Sequence, residues 1–154
     1  MASKKTWKEK LYNANGLPKV QVIDENMSQR WGTGTFVIPA PAEVYEVMEG
    51  VPEGKLITIS EIRQILAKKH DTTIGCPLTT GIFAWVSANA SEEIKANGEG
   101  KGIPYWRTLK SDGSLNEKYP GGIEQQKFYL EMEGHKVIQK GKRYFVENFK
   151  EYLI

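Results

Sequence analysis

The chain has 154 residues, 40% hydrophobic and 26% charged, which suits one packed domain with decoration and is too little for two large ones. Its 21 Lys and Arg against 19 Asp and Glu leave +2, too small a surplus to argue for nucleic acid by itself, although both ends are locally basic. No apolar run is long enough to span a bilayer, no secretory signal opens the chain, and one cysteine (Cys76) with two histidines (His70, His135) makes neither a disulfide nor a zinc set; a protein of a reducing, cytoplasmic-type compartment, away from membranes and without metal or cofactor, is expected.

Residues 1–41 mix Lys, Asn, Gly and Pro and hold one β-favouring run, Thr35 to Ile38. They close on Pro39-Ala40-Pro41, which continues neither a helix nor a central strand. We read them as a basic extension (Lys4, Lys5, Lys8, Lys10, Lys19) packing on a domain formed by residues 42–154. Gly32-Thr33-Gly34 lacks the strand, helix and Lys-Ser/Thr of a phosphate loop and reads as a plain turn. From Ala42, the spacing of Val44, Val47, Met48 and Val51 predicts a short helix ended by Gly50 and Pro52. Thr58-Ile59-Ser60-Glu61 is a capping box for a second helix, with Ile62, Ile65 and Leu66 on its buried side and an end near His70.

After a polar turn, Asp71 to Gly75, Pro77 opens a third helix, with Leu78, Ile82, Trp85 and Val86 on one stripe and Thr79, Thr80, Gly81 and Ala84 beside it. These two helices form a helix-turn-helix candidate. A Gly-rich loop, Asn97 to Gly102, leads to Ile103-Pro104-Tyr105-Trp106-Arg107, and another helix follows Gly121-Gly122 as far as Glu133. Lys136 to Val146 reads as a hairpin turning at Lys140-Gly141-Lys142, which after a helix-turn-helix is a wing. The expected fold class is therefore mainly α with a small C-terminal β-hairpin, a winged helix-turn-helix. Thr79, Thr80 and Gly81 offer no Arg or Asn fork for base reading, so the leading helix suits close packing on a backbone or minor groove; the same pattern also serves as a purely structural core.

Gly102 to Arg107, Lys110-Ser111-Asp112-Gly113-Ser114 and Tyr119-Pro120-Gly121-Gly122-Ile123 together resemble one family, the O6-alkylguanine-DNA alkyltransferases. The resemblance spans roughly residues 42–147 and includes Val44-Tyr45, Gly54-Lys55, the Thr58 to Glu61 box and Glu131 to His135. It implies a winged helix-turn-helix that enters the minor groove, flips a damaged guanine and passes the alkyl group to the cysteine of a Pro-Cys-His-Arg motif. Here Tyr105 stands at the cysteine position and Trp106 at the histidine position, so alkyl transfer by that mechanism is expected to be absent. The chain is therefore closer to the non-catalytic alkyltransferase-like branch, whose members bind alkylated DNA and hand the lesion to repair-protein partners.

Carried onto this chain, the resemblance implies a base pocket of Ile59, Val86, Tyr105, Trp106, Thr108, Tyr119 and Pro120, in which Tyr105 stacks on an extruded base; the alternative is that Tyr105 and Trp106 simply plug it. It implies a DNA face of Thr79, Thr80, Gly81, Phe83, Ala84, Asn89, Arg107, Lys110, Lys140, Lys142 and Arg143, with Arg63, Lys68 and Lys69 also available to phosphates. Three departures stand out: the intercalating arginine falls at Thr80, the phosphate-contacting tyrosine at Ile59, and Phe83 replaces a groove-facing glycine. Asn89, Tyr119, Gly121-Gly122 and Glu133 are retained. A duplex-DNA binder is the leading expectation. Its rivals are a protein-interaction module whose residues 1–40 cover the ancestral groove, favoured by Thr80 and Phe83, and an alkyltransferase acting through Cys76.

Overall fold

A computed structural model describes residues 6–154; Lys4 and Lys5 of the basic start lie outside them. Thr6 opens α1 (Trp7–Tyr12) with a capping box, its hydroxyl accepting from Glu9 N while the Glu9 carboxylate accepts from Thr6 N. Leu11 on this helix is fully buried against Val86 and Ala90. β1 (Lys19–Val22) and α2 (Glu25–Trp31), the latter capped by Asp24, lead to β2 (Thr35–Ile38), the run of strand-forming residues noted above.

α3 (Pro41–Glu49) buries Val44 and Met48 and stops at Gly50. β3 (Ile57–Thr58) runs into α4 (Ile59–Lys69), whose box is formed as expected: Thr58 N donates to Glu61 Oε1 at 3.0 Å and Glu61 N to Thr58 Oγ1 at 3.3 Å. The polar turn after α4 ends in β4 (Ile74–Gly75), which pairs parallel with β2, giving a three-stranded sheet ordered β1-β2-β4. Gly75 is required there, because a Cβ would lie 2.7 Å from the Arg63 carbonyl oxygen. One sheet thus joins the extension to the two-helix unit.

α5 (Pro77–Ala96) is 20 residues long and packs on α1, α3 and α4. Tyr105–Arg107 form one 3-10 turn, and β5 (Thr108–Leu109) after it pairs parallel with β3. α6 (Gly122–Met132) precedes the antiparallel hairpin of β6 (Val137–Lys140) and β7 (Arg143–Val146), which is tied to the preceding loop by Leu115 N donating to Tyr144 O and Val146 N to Gly113 O. Helices dominate, and among the described residues the expected hairpin is joined by two further small sheets, β1-β2-β4 and β3-β5.

The buried face of α5 is also a correction. Thr80, Ala84, Ser87, Ala88 and Ser91 turn inward, whereas Leu78 and Ile82 of the anticipated apolar stripe are 71% and 51% exposed. Small side chains let α5 approach its neighbours closely. Their hydroxyls are satisfied locally, Thr80 donating to Cys76 O and Ser87 to Phe83 O, while Ser91 Oγ accepts from Ile103 N at 2.7 Å.

Candidate nucleic-acid interface

The 3-10 turn directs Tyr105 into the main core, where it is 0% exposed among Val44, Met48, Ile62, Ala84 and Ala88. Its hydroxyl donates to Pro120 O at 3.1 Å and accepts from Gln125 Nε2 at 3.0 Å. The ring meets Trp106 and Tyr119 edge-on, with centroids 5.5 and 5.8 Å away. Burial, with the Glu92 charge adding to it, raises the Tyr105 phenol far above its ordinary range, and burial raises Tyr119 likewise. A fixed, protonated phenol offers no nucleophile.

Arg107, at the end of the same turn, reaches Glu133 through Nε and Nη2 and donates Nη1 to Val51 O at 2.6 Å. Trp106 stacks on Tyr129 at 4.3 Å and donates Nε1 to Glu133 Oε2 at 3.0 Å; Gly54 N supplies a further donor. Burial pushes the Glu133 carboxyl up, but the Arg107 and Trp106 hydrogen bonds and the guanidinium charge outweigh it and leave the pKa below the ordinary value. Buried Gln126, which sequence reasoning missed, completes the frame by donating to the carbonyls of Trp106 and Thr108 and accepting from Asn116 N. Its signal was only a polar residue at an inward helical position of α6.

The expected base pocket is closed. Tyr105, Thr108 and Tyr119 have 0%, 0% and 3% exposure, and Pro120 holds the Tyr105 hydroxyl. Val86 faces Leu11 of α1 in a separate cluster, so it lines no base site. Ile59 is half-buried and borders a surface groove instead. The seat is filled by its own side chains and packed on by α3, α5 and α6, with Val37 of β2 the extension's member of the same core cluster.

The expected DNA face divides. Thr80 and Ala84, at 0% and 1% exposure, are core residues and have no surface to offer. Phe83 turns toward Lys10, Asn13, Leu17 and Pro41, away from the groove it was expected to obstruct. Asn89 donates its amide back to Trp85 O. Arg107 is committed to Glu133, and Arg63 donates Nε to Gly75 O. Lys69 pairs with Glu43, which also meets His70 Nε2 at 2.6 Å.

What remains open is coherent. Leu78, Gly81, Ile82 and Trp85 of α5 border a groove of about 610 Å³ with Ile59, Lys110, Asn116, Glu117 and Lys118. Trp85 is fixed by donating Nε1 to Lys118 O at 3.1 Å and by an edge-on contact with Trp7 at 4.7 Å. Lys110 pairs with Glu117 at 3.1 Å and Arg143 with Asp112 at 2.9 Å, both exposed contacts that a phosphate can displace cheaply. Lys140 and Lys142 are exposed at the hairpin tip. The described part of the extension flanks this face, α1 lying on the Val86 and Ala90 side with Trp7 against Trp85, and α2 bordering Leu78.

Cys76 is 5% exposed, caps α5 through its backbone and packs with Ile23 and Phe36, in a cluster distinct from that of Tyr105. Among the described residues, no group of three His, Cys, Asp or Glu side chains could hold a metal ion, and no helix is long and apolar enough to cross a membrane.

The fold is that of the alkyltransferase-like proteins, as the motif resemblance implied. Among the solved structures that share it are S. pombe Atl1 in complex with damaged DNA containing O6-carboxymethylguanine and S. pombe ATL in complex with DNA. Each is 24% identical over 74% of this chain and 93% of its own, with TM-scores of 0.50 and 0.53 respectively. No protein-family model and no curated protein matches the sequence.

Proposed function

We propose that this chain is a non-catalytic DNA-binding protein of the alkyltransferase-like type, a winged helix-turn-helix that sets the open face of α5 and the β6-β7 hairpin against the minor groove of duplex DNA. The observation that carries this reading is the groove between α5 and residues 110–118, which no described residue of the extension lines, bordered by Lys110 and Lys118 and bearing the exposed Leu78 and Ile82. The DNA-bound state of the S. pombe proteins with this fold supports it. Thr80 and Phe83, which favoured a protein-interaction module, both turn away from that face, and this weakens the rival. With the seat at Tyr105 filled, recognition works through duplex shape and deformability rather than by holding an extruded base.

Fluorescence anisotropy with duplexes containing or lacking O6-methylguanine, at two salt concentrations, tests this reading. Expected are saturable binding that weakens steeply with salt and similar affinities for the two duplexes. Absence of salt-dependent binding to either duplex refutes the reading, and capture of a protein partner on the same face would then favour the interaction module.

A further inference from the structure

The open face of α5 has two features that packing within the chain leaves unexplained. Leu78 and Ile82, one turn apart, expose 71% and 51% of their surface. Between them lies Gly81, in a helix interior where glycine is less favourable than alanine, yet a Cβ there would meet no atom within 4 Å. Neither backbone geometry nor crowding inside the molecule asks for glycine at this position. A body approaching from outside does, because a bare backbone lets it come closer.

The charges around this ridge say what that body is. On one side, Leu78 borders a depression lined by Arg30 and Trp31 of α2; on the other, the groove lined by Lys110 and Lys118. Among the described residues, Arg30 and Lys118 have no carboxylate within salt-bridge distance, and Asp24 beside Arg30 is engaged in accepting from Met27 N. No side chain caps the first turn of α5, so its amide end also faces this region with positive polarity. An apolar ridge with a cation on either flank complements a minor groove, whose floor of base edges lies between two phosphate strands.

We propose that Leu78 and Ile82 form an apolar wedge that inserts between two base pairs from the minor groove and bends the duplex without extruding a base. Gly81 admits the sugar backbone, while Arg30 and Lys118 hold the phosphates on opposite strands. The proposal rests on the DNA-binding reading above and assigns the residues that carry it. Easily unstacked pyrimidine–purine steps are the favoured sites.

The test uses the full chain and a short duplex with 2-aminopurine at a central TA step and a donor–acceptor pair at its ends. Binding by the wild type raises 2-aminopurine fluorescence and shortens the end-to-end distance. The double variant Leu78→Ala/Ile82→Ala, altered only at exposed positions, binds about tenfold or more weakly and loses both signals. Gly81→Ala raises Tm and still weakens binding, a combination that a structural role would not produce. Failure of the wild type to bind any duplex overturns the DNA-binding reading itself. Binding with unchanged 2-aminopurine fluorescence, or a double variant that binds and bends DNA like the wild type, overturns the wedge alone.

Discussion

Arg107 and Glu133 meet in a forked ion pair, Nε to Oε1 at 2.9 Å and Nη2 to Oε2 at 2.7 Å, with side chains only 13% and 8% exposed. The pair fastens the Tyr105 turn to the end of α6, and Trp106 shares the carboxylate. Removing the guanidinium leaves a largely buried carboxylate with one indole and one amide donor. Arg107→Met is expected to cost about 3 kcal/mol, read as a lower urea midpoint with an unchanged slope.

Tyr105 contributes volume first and its hydroxyl second. Tyr105→Phe leaves Pro120 O and Gln125 without their phenol partner and is expected to cost about 1 kcal/mol. Tyr105→Cys restores a thiol but opens a cavity, with an expected cost of about 3 kcal/mol or more. With Trp106 in place of an imidazole, nothing activates that thiol. Incubation of this variant with O6-methylguanine DNA is expected to leave its intact mass unchanged.

Restoring an arginine at position 80 is expected to fail as a gain of DNA affinity. Thr80 is 0% exposed and bonded to Cys76 O, so Thr80→Arg would place an unpaired guanidinium in the core. The expected outcome is loss of at least about 4 kcal/mol of stability by thermal denaturation, with no strengthening of duplex binding by anisotropy.

His135 makes the stability depend on pH. Its ring is 5% exposed, has no hydrogen-bond partner at either nitrogen and lies edge-on to Tyr152 at 4.7 Å. Burial lowers its pKa below the ordinary 6.5, Glu133 opposes that, and Arg107 adds to it. The unfolded chain therefore takes up the proton first, and stability falls as pH drops below about 6.5, at up to about 1.4 kcal/mol per pH unit. Glu133 acts in the same direction at lower pH, since its contribution is present above the ordinary 4.5 and is lost as pH falls through its depressed folded value. His135→Phe is expected to flatten urea-derived stability between about pH 6.5 and 5 while leaving the steeper acid limb in place.

Much of this architecture was legible because its signals are local. The Thr58–Glu61 box, the Gly50 stop, the double glycine before α6 and the turn at Lys140-Gly141-Lys142 each fix a helix end or hairpin through a few neighbouring residues. The extension was harder to read. Its helices are six and seven residues long, too short for periodicity, although Thr6 with Glu9 and Asp24 before α2 were capping signals in plain view. β4 was invisible because a two-residue strand exists only through its partner β2.

The orientation of α5 was read the wrong way round. On α5, large apolar side chains were assumed to face inward and small ones outward, whereas close helix packing selected Thr80, Ala84, Ser87 and Ala88 for the core. That choice took Thr80, Phe83 and Ala84 off the open face of α5 and put Leu78 and Ile82 on it. The substitution at Tyr105 was legible as a loss of chemistry. A plugged pocket stood only as the alternative to an open one, because closure is decided by Pro120 and Gln125, 15 and 20 residues away in sequence.

The most direct measurement is an amide-resolved NMR titration of the full chain with a short duplex. The largest shifts are expected at Leu78, Gly81, Ile82, Lys118 and the Lys140 to Arg143 tip, with Tyr105 and the exposed side of α6 unmoved. A spectrum unchanged at excess duplex, or shifts centred on α6 and absent from α5, would contradict a DNA face built on this helix.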